Sequence, residues 1–177
     1  EVGANEGQLD QLGIEVTRLN ARLLLAALDD RANPTPFEAY EPASAALSRG
    51  ELVVMGGIVP GQTTDAVGAM LAEYAEADLL VYATSVPGVF DADPNAEADA
   101  TRYEELSATD LVSLIAAGES LGSAGSSAPI DLLAAKLLQR SGTRTYVLDG
   151  SDPDRVREAV ETGEFEGTEI RPDGERP

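Results

Sequence analysis

Between residues 51 and 83 the chain reads as strand, turn, helix and strand, and this run narrows the fold further than any other segment. Glu51–Met55 is a short β-rich stretch that stops at Gly56-Gly57, as a buried strand does on meeting a tight turn. After Pro60-Gly61, Thr63-Thr64-Asp65 supplies a helix N-cap, and Ala66–Tyr74 carries apolar residues at helical spacing. Leu79–Ala83 is a second apolar run. Strand, helix and strand within about 30 residues make a βαβ unit, whose crossover requires parallel strands. The expected class is α/β with a largely parallel sheet.

The flanking sequence fits that class. Gln8–Leu28 has apolar residues at Leu9, Leu12, Ile14, Val16, Leu19, Leu23, Leu24, Leu25 and Leu28 and no proline, which predicts one long helix or two abutting ones. Arg31–Pro42 contains Pro34, Pro36 and Pro42 and predicts an extended connection, with a helical turn at Ala43–Ser48. Further on, Ser107 caps a helix to Ala117 and Pro129 opens one to Arg140. Arg144–Leu148 reads as a strand, Asp152–Val160 as a helix and Gly167–Ile170 as an edge strand. The Gly- and Ser-rich Gly118–Ser127 reads as a loop. No linker divides the chain, so one domain over residues 1–177 is expected. The apolar helix pattern starts almost at once after Glu1, which suggests that an N-terminal part of the domain is missing.

Composition removes whole classes of chemistry. The 177 residues include no cysteine and no histidine, which excludes disulfides, thiolate nucleophiles, Zn–Cys sites and histidine-based triads or metal sites. Asp and Glu number 32 against 12 Lys and Arg, a net charge of −20 that repels nucleic acid. The 43% hydrophobic content, arranged in periodic runs, argues for a folded acidic surface over a disordered acidic chain. Only Lys136 is a lysine, and a lysine-poor, carboxylate-coated surface suits a halophilic cytoplasm. The apolar runs are too short to span a bilayer and no signal peptide is visible, so no membrane partner is expected.

Two segments carry candidate chemistry. Gly56-Gly57-Ile58-Val59-Pro60-Gly61-Gln62-Thr63-Thr64-Asp65 joins a strand end to a helix N-terminus, where open α/β sheets bind ligands and free N–H groups favour an anion. The plainer reading is a turn that simply needs glycine. Tyr82–Pro94 also begins at a strand end, with hydroxyls at Thr84 and Ser85, a flat apolar face at Phe90 and a carboxylate at Asp93 suited to ribose or Mg²⁺. Taken alone it reads equally as a loop of turn residues. Three other patterns fail. Asp91–Ala96 starts like a calcium loop but lacks its glycine and its final glutamate, since Ala96 and Arg102 stand there. Gly118-Glu119-Ser120-Leu121-Gly122 has no preceding strand and no histidine to activate Ser120, and Lys136 lacks the glycines of a phosphate loop.

In this order and spacing the two segments resemble those of archaeal uridylate (UMP) kinases of the amino-acid kinase superfamily. Leu9–Ile14, Thr17–Ala21, Gly125–Lys136 and Val147–Gly150 extend the likeness, which reaches about Pro172. It implies a three-layer αβα sandwich with a mostly parallel sheet, transfer of a phosphoryl group from Mg²⁺-bound ATP to UMP, and a homohexamer. By this resemblance Asp10 and Ile58, Val59, Pro60, Gly61, Gln62, Thr63 and Thr64 contact UMP, while Thr84, Phe90 and Asp93 contact ATP. Asp65 matches an aspartate that organises charge around the transferred group, although a carboxylate in a first helical turn also stabilises the helix. Asp131 falls in a similar segment and is explained equally by capping. Phosphoryl transfer asks a protein mostly to align and neutralise, so the lack of His and Cys is no obstacle. The family's opening strand with its Gly-Gly-Ser turn, and its arginine-bearing glycine-rich loop, have no match before Asp10, which leaves the activity of the chain itself open. Two alternatives remain: a superfamily member acting on a carboxylate or carbamate, and a non-catalytic oxyanion-storage or assembly subunit.

Overall fold

The computed structural model describes residues 3–94, 96–120 and 129–174. The chain divides into two compact units, Glu1–Glu76 and Ala77–Pro177.

The first unit is helical. Helix α1, Glu6–Leu28, is continuous and opens on a capping box that the pattern of apolar residues does not reveal. The Asn5 side chain accepts from the Gln8 amide at 3.0 Å and the Gln8 side chain accepts from the Asn5 amide at 3.0 Å. Its buried stripe is Ile14, Ala21 and Leu25, whereas Leu12 and Leu23 are 60% and 65% exposed. The apolar periodicity therefore covers two faces, and the less leucine-rich one is packed. Helix α2, Tyr40–Ser48, begins earlier than expected and takes Pro42 into its first turn, where a missing N–H costs nothing. Helix α3, Thr64–Tyr74, starts where the Thr63 cap places it, with the Thr63 hydroxyl accepting from the Ala66 amide at 3.1 Å.

Glu51–Met55 departs from expectation. It forms no ladder; Leu52 and Met55 make single parallel bridges to Ala32 and Phe37. Between the bridges lies Val54, served by the buried Asn33, whose Oδ1 accepts from the Val54 amide at 2.7 Å and whose Nδ2 donates to the Val54 carbonyl at 2.9 Å. The Phe37 amide also donates to the Val54 carbonyl at 3.2 Å, and residues 51–55 are not among the strands of the described sheet.

The second unit holds that sheet: β1 Leu80–Thr84, β2 Glu105–Ser107, β3 Thr145–Asp149 and β4 Gly167–Arg171, in the order β1-β3-β4-β2. The β1–β3 and β2–β4 pairs are parallel and β3–β4 is antiparallel, giving a mixed, mostly parallel sheet. Strand β4, expected at an edge, lies between β3 and β2, because the short β2, unmarked in the sequence, pairs outside it. Strand β3 is buried on both faces, as its continuous apolar run requires. Tyr146 and Leu148 pack with Ala159, and the Tyr146 ring stacks on Phe165 at 4.1 Å between centroids.

Helix α4, Ala108–Ser120, is capped by Ser107, whose hydroxyl accepts from the Asp110 amide at 3.0 Å. It continues through Gly118, where a loop was expected; the rest of that loop, 121–128, lies outside the described residues, as does the Gly125–Ala128 part of the resemblance. Helix α5, Leu132–Ser141, starts after Pro129, with Asp131 as its N-cap accepting from Leu133 and Ala134 at 2.7 and 3.0 Å. Helix α6, Pro153–Thr162, has Asp152 as cap and Pro153 at its start.

Candidate functional site

In the first unit the segment Gly56–Asp65 is held by one face of α1. Residues 10, 14, 17, 18 and 21 fall four, three, one and three apart, so they share that face. The Asp10 Oδ2 accepts from the Gly61 amide at 2.8 Å. The Thr17 hydroxyl donates to the Ile14 carbonyl at 2.7 Å and accepts from the Gly57 amide at 2.7 Å. Arg18 Nε donates to the Gly57 carbonyl at 3.0 Å, while its NH1 pairs with Glu38 at 3.1 Å.

That closeness explains the paired glycines. A Cβ on Gly56 would sit 2.9 Å from the Arg18 backbone nitrogen, and one on Gly57 would sit 3.1 Å from the Ile14 and Thr17 side chains. Both glycines are buried against the helix. Next, Val59-Pro60-Gly61-Gln62 makes a β-turn, with the Gln62 amide donating to the Val59 carbonyl at 3.3 Å and Gly61 at φ 80°. Val59 to Gly61 are exposed, Ile58 and Gln62 half-buried, and the exposed Thr63 and Thr64 lead into α3. Gln62 is oriented by Tyr40, whose hydroxyl donates to its Oε1 at 3.1 Å and whose ring stacks on Tyr74 at 5.3 Å. Burial raises the Tyr40 phenol above its ordinary pKa; the Gln62 bond opposes this and Tyr74 adds to it. Asp65 lies half-buried in the first turn of α3.

In the second unit, Thr84 ends β1 beside the end of β3. Its carbonyl accepts from the Gly150 amide at 2.8 Å, and a Cβ on Gly150 would meet Ala83 at 2.7 Å. The Thr84 hydroxyl is engaged within its own turn, accepting from the Val86 amide at 3.1 Å and donating to the Val86 carbonyl at 2.8 Å. Beyond it the chain makes a two-limbed excursion to β2. The limbs pair through the Tyr103 amide and Val89 carbonyl at 2.9 Å and the Asp91 amide and Thr101 carbonyl at 3.1 Å, with Phe90 bridged to Arg102. At its tip the Asp93 carbonyl accepts from Ala96 and Glu97 at 3.0 and 2.8 Å. Phe90 and Asp93 are half-buried, and the Asn95 within the rejected calcium pattern lies outside the described residues.

The structure thus gathers Asp10 with Ile58–Thr64 and Asp65 in one unit, and Thr84 with Phe90 and Asp93 in the other. The sequence reading passed over the roles of Thr17 and Arg18, whose signal was their place on the Asp10–Ile14 face of α1. It also passed over Thr168, buried on β4, whose hydroxyl accepts from the Val89 amide at 2.9 Å and donates to the Tyr103 carbonyl at 2.6 Å. Among the described residues no three Asp, Glu, His or Cys side chains cluster as a metal cage.

The profile of the amino acid kinase family matches residues 2–149. A uridylate kinase of Haloarcula marismortui is 65% identical over 173 residues, covering 98% of this chain and 75% of that protein. The crystal structure of uridylate kinase from Archaeoglobus fulgidus superposes with a TM-score of 0.80 at 42% identity, over 96% of this chain and 74% of the other. UMP kinase from Bacillus anthracis gives a TM-score of 0.75 at 24% identity over 97% and 72%, a likeness of fold alone.

Proposed function

The chain belongs to the amino acid kinase family, and from that premise we propose that it acts as a UMP kinase, a nucleoside monophosphate kinase that turns ATP and UMP into ADP and UDP in pyrimidine nucleotide biosynthesis. The observation that carries the reading is the Asp10–Gly61 hydrogen bond at 2.8 Å, which joins two sequence-distant parts of the UMP side in one place. The 65% identity to a uridylate kinase supports it.

In this reading Asp10 and Ile58–Thr64 take UMP. The α3 N-terminus, next to Thr63 and Thr64, suits its phosphate. Thr84, Phe90 and Asp93 take ATP, with the Phe90 ring offered to the base. Asp65 orders charge at the transferring phosphoryl group, which passes from the ATP β-phosphate oxygen to an oxygen of UMP. Mg²⁺ would be brought by ATP, and the oxygen donors of the chain suit it, since that ion asks for only one or two protein carboxylates. Asp93 is the carboxylate that would hold it on the ATP side, where it would neutralise phosphate charge.

The exposed apolar face of α1 supports a homo-oligomer, proposed as a hexamer, to be checked by sedimentation. No helix among the described residues is long and apolar enough to cross a membrane. A cytoplasmic, halophilic setting is supported by the net charge of −20, and an unfolding midpoint that rises from 0.1 to 2 M KCl would check it, since screening shortens from about 10 Å to below about 3 Å.

A coupled ADP-release assay with UMP, CMP, glutamate and carbamate in molar KCl tests the reaction. Turnover with UMP sustains the proposal; turnover with glutamate or carbamate alone points to another family activity, and none with any acceptor to a non-catalytic role.

A further inference from the structure

We propose that Thr168 is a positioning residue for the ATP side, acting through the two-limbed segment 87–103 and touching no substrate itself. The inference rests on the assignment of Phe90 and Asp93 to ATP. Thr168 lies on β4 and is wholly buried. Its hydroxyl has one hydrogen, and the 2.6 Å distance to the Tyr103 carbonyl, against 3.5 Å to the Val89 carbonyl, assigns that hydrogen to Tyr103. The oxygen then accepts from the Val89 amide at 2.9 Å. One side chain therefore grips both limbs, and it does so at the residue next to Phe90.

The surrounding chain is shaped to this contact. Gly88 has φ 133°, and a Cβ there would lie 2.6 Å from the Thr168 oxygen and 2.8 Å from Arg102 Cδ, so glycine is what lets the limb come so near. Val89 is wholly buried, and Arg102 lies over Gly88 with its NH1 3.4 Å from the Pro87 carbonyl and 3.2 Å from Glu166. Arg102 also carries a buried Nε without a partner among the described residues. The limbs pair with each other and Arg102 pairs with Glu166, and to these the Thr168 hydroxyl adds a buried link that fixes both limbs to β4.

Thr168→Val keeps the shape of the side chain and removes the hydroxyl. In the native full-length protein, it should weaken ATP binding by calorimetry about tenfold and leave UMP binding within about twofold, while Thr168→Ser restores ATP binding to within about twofold of the parent. Equal losses for ATP and UMP, or a serine variant as defective as the valine one, would overturn the proposal. Should the valine variant not fold, Gly88→Ala serves instead: it keeps the hydroxyl, displaces the Val89 amide and should again weaken ATP selectively; an unchanged ATP affinity would overturn the idea. Phe90→Ala separates the layers. If it leaves ATP binding intact, the ATP-side assignment fails and this inference with it; if it weakens ATP while Thr168→Val does not, only the positioning role is lost.

Discussion

The Gly56–Asp65 turn and the 87–103 excursion are both loops that present candidate nucleotide contacts, and they are held in opposite ways. The first is held along its length by a helix face: Asp10, Thr17 and Arg18 meet Gly61 and Gly57 from positions 39 to 51 residues earlier. The second is fastened to β4 by a buried hydroxyl, which comes 79 residues after Val89. Several shared contacts make the turn part of the packing of its unit, so damage there costs stability as well as binding. The excursion is held mostly by its own pairing and by the Thr168 hydroxyl, so damage at that hydroxyl should be confined to one ligand.

The largest effect expected is chemical. Asp65→Ala should lower kcat on the order of 100-fold while the KM values for ATP and UMP stay within a few-fold, because only charge in the transition state is lost. A drop matched by a rise in UMP KM would return Asp65 to the status of a helix stabiliser, worth about 0.3–1 kcal/mol. Next, Gly56→Ala forces a methyl to 2.9 Å from the α1 backbone and should destabilise by about 1–3 kcal/mol in denaturant unfolding, with UMP affinity lost alongside. If stability is untouched, the helix does not support the turn as described.

A crossed pair then tests the division of labour. Asp10→Ala should raise the UMP KM about tenfold, since it removes a charge-assisted hydrogen bond, and leave the ATP KM nearly fixed. Phe90→Ala should do the reverse, weakening ATP roughly three- to tenfold. Equal effects of either variant on both substrates would dissolve the comparison.

The smallest effect concerns pH. Burial by itself raises the pKa of Glu169, but hydrogen bonds from Arg144 at 2.5 Å and Arg171 at 3.3 Å, together with their charge, bring it below the ordinary glutamate value. A depressed folded-state pKa stabilises above the unfolded value of about 4.3 and is lost as pH falls through the folded value. Its side chain is 13% exposed but Arg144 is 49% exposed, so the contribution is held to about 1 kcal/mol or less. Glu169→Gln should flatten the acid limb of the unfolding curve below about pH 4.3 and leave both nucleotide affinities unchanged.

What was legible in the sequence follows from the same contrast. Caps written in neighbouring residues, at Thr63 and Ser107, could be read because donor and acceptor lie within one turn. The turn was marked by its place between a strand end and a helix N-terminus and Asp10 was reached through resemblance, while the bond that joins them needs the fold of α1 back across the segment. Glu51–Met55 was read as a strand and makes only single bridges, and the Asn33 side chain that serves Val54 lies 21 residues earlier, out of reach of a local pattern. The leucines of α1 misled in another way, since periodicity marks two faces and cannot say which one is packed. Thr168 left no local sign: a threonine in a strand is ordinary, and its importance arises from what two distant carbonyl and amide groups require.

The position of β4 between β3 and β2 has a further consequence during synthesis. A nascent chain that has already displayed Phe90 and paired limbs 87–103 must wait for Thr168, and at about 5–20 residues per second that wait lasts seconds. Strand β2 waits equally, since its only ladder among the described residues is with β4. The turn at Gly56–Asp65 follows Asp10 and α1 out of the ribosome and meets its holder at once. The candidate contact at the turn is thus assembled as the chain emerges, and the one on the excursion is closed only once β4 has followed.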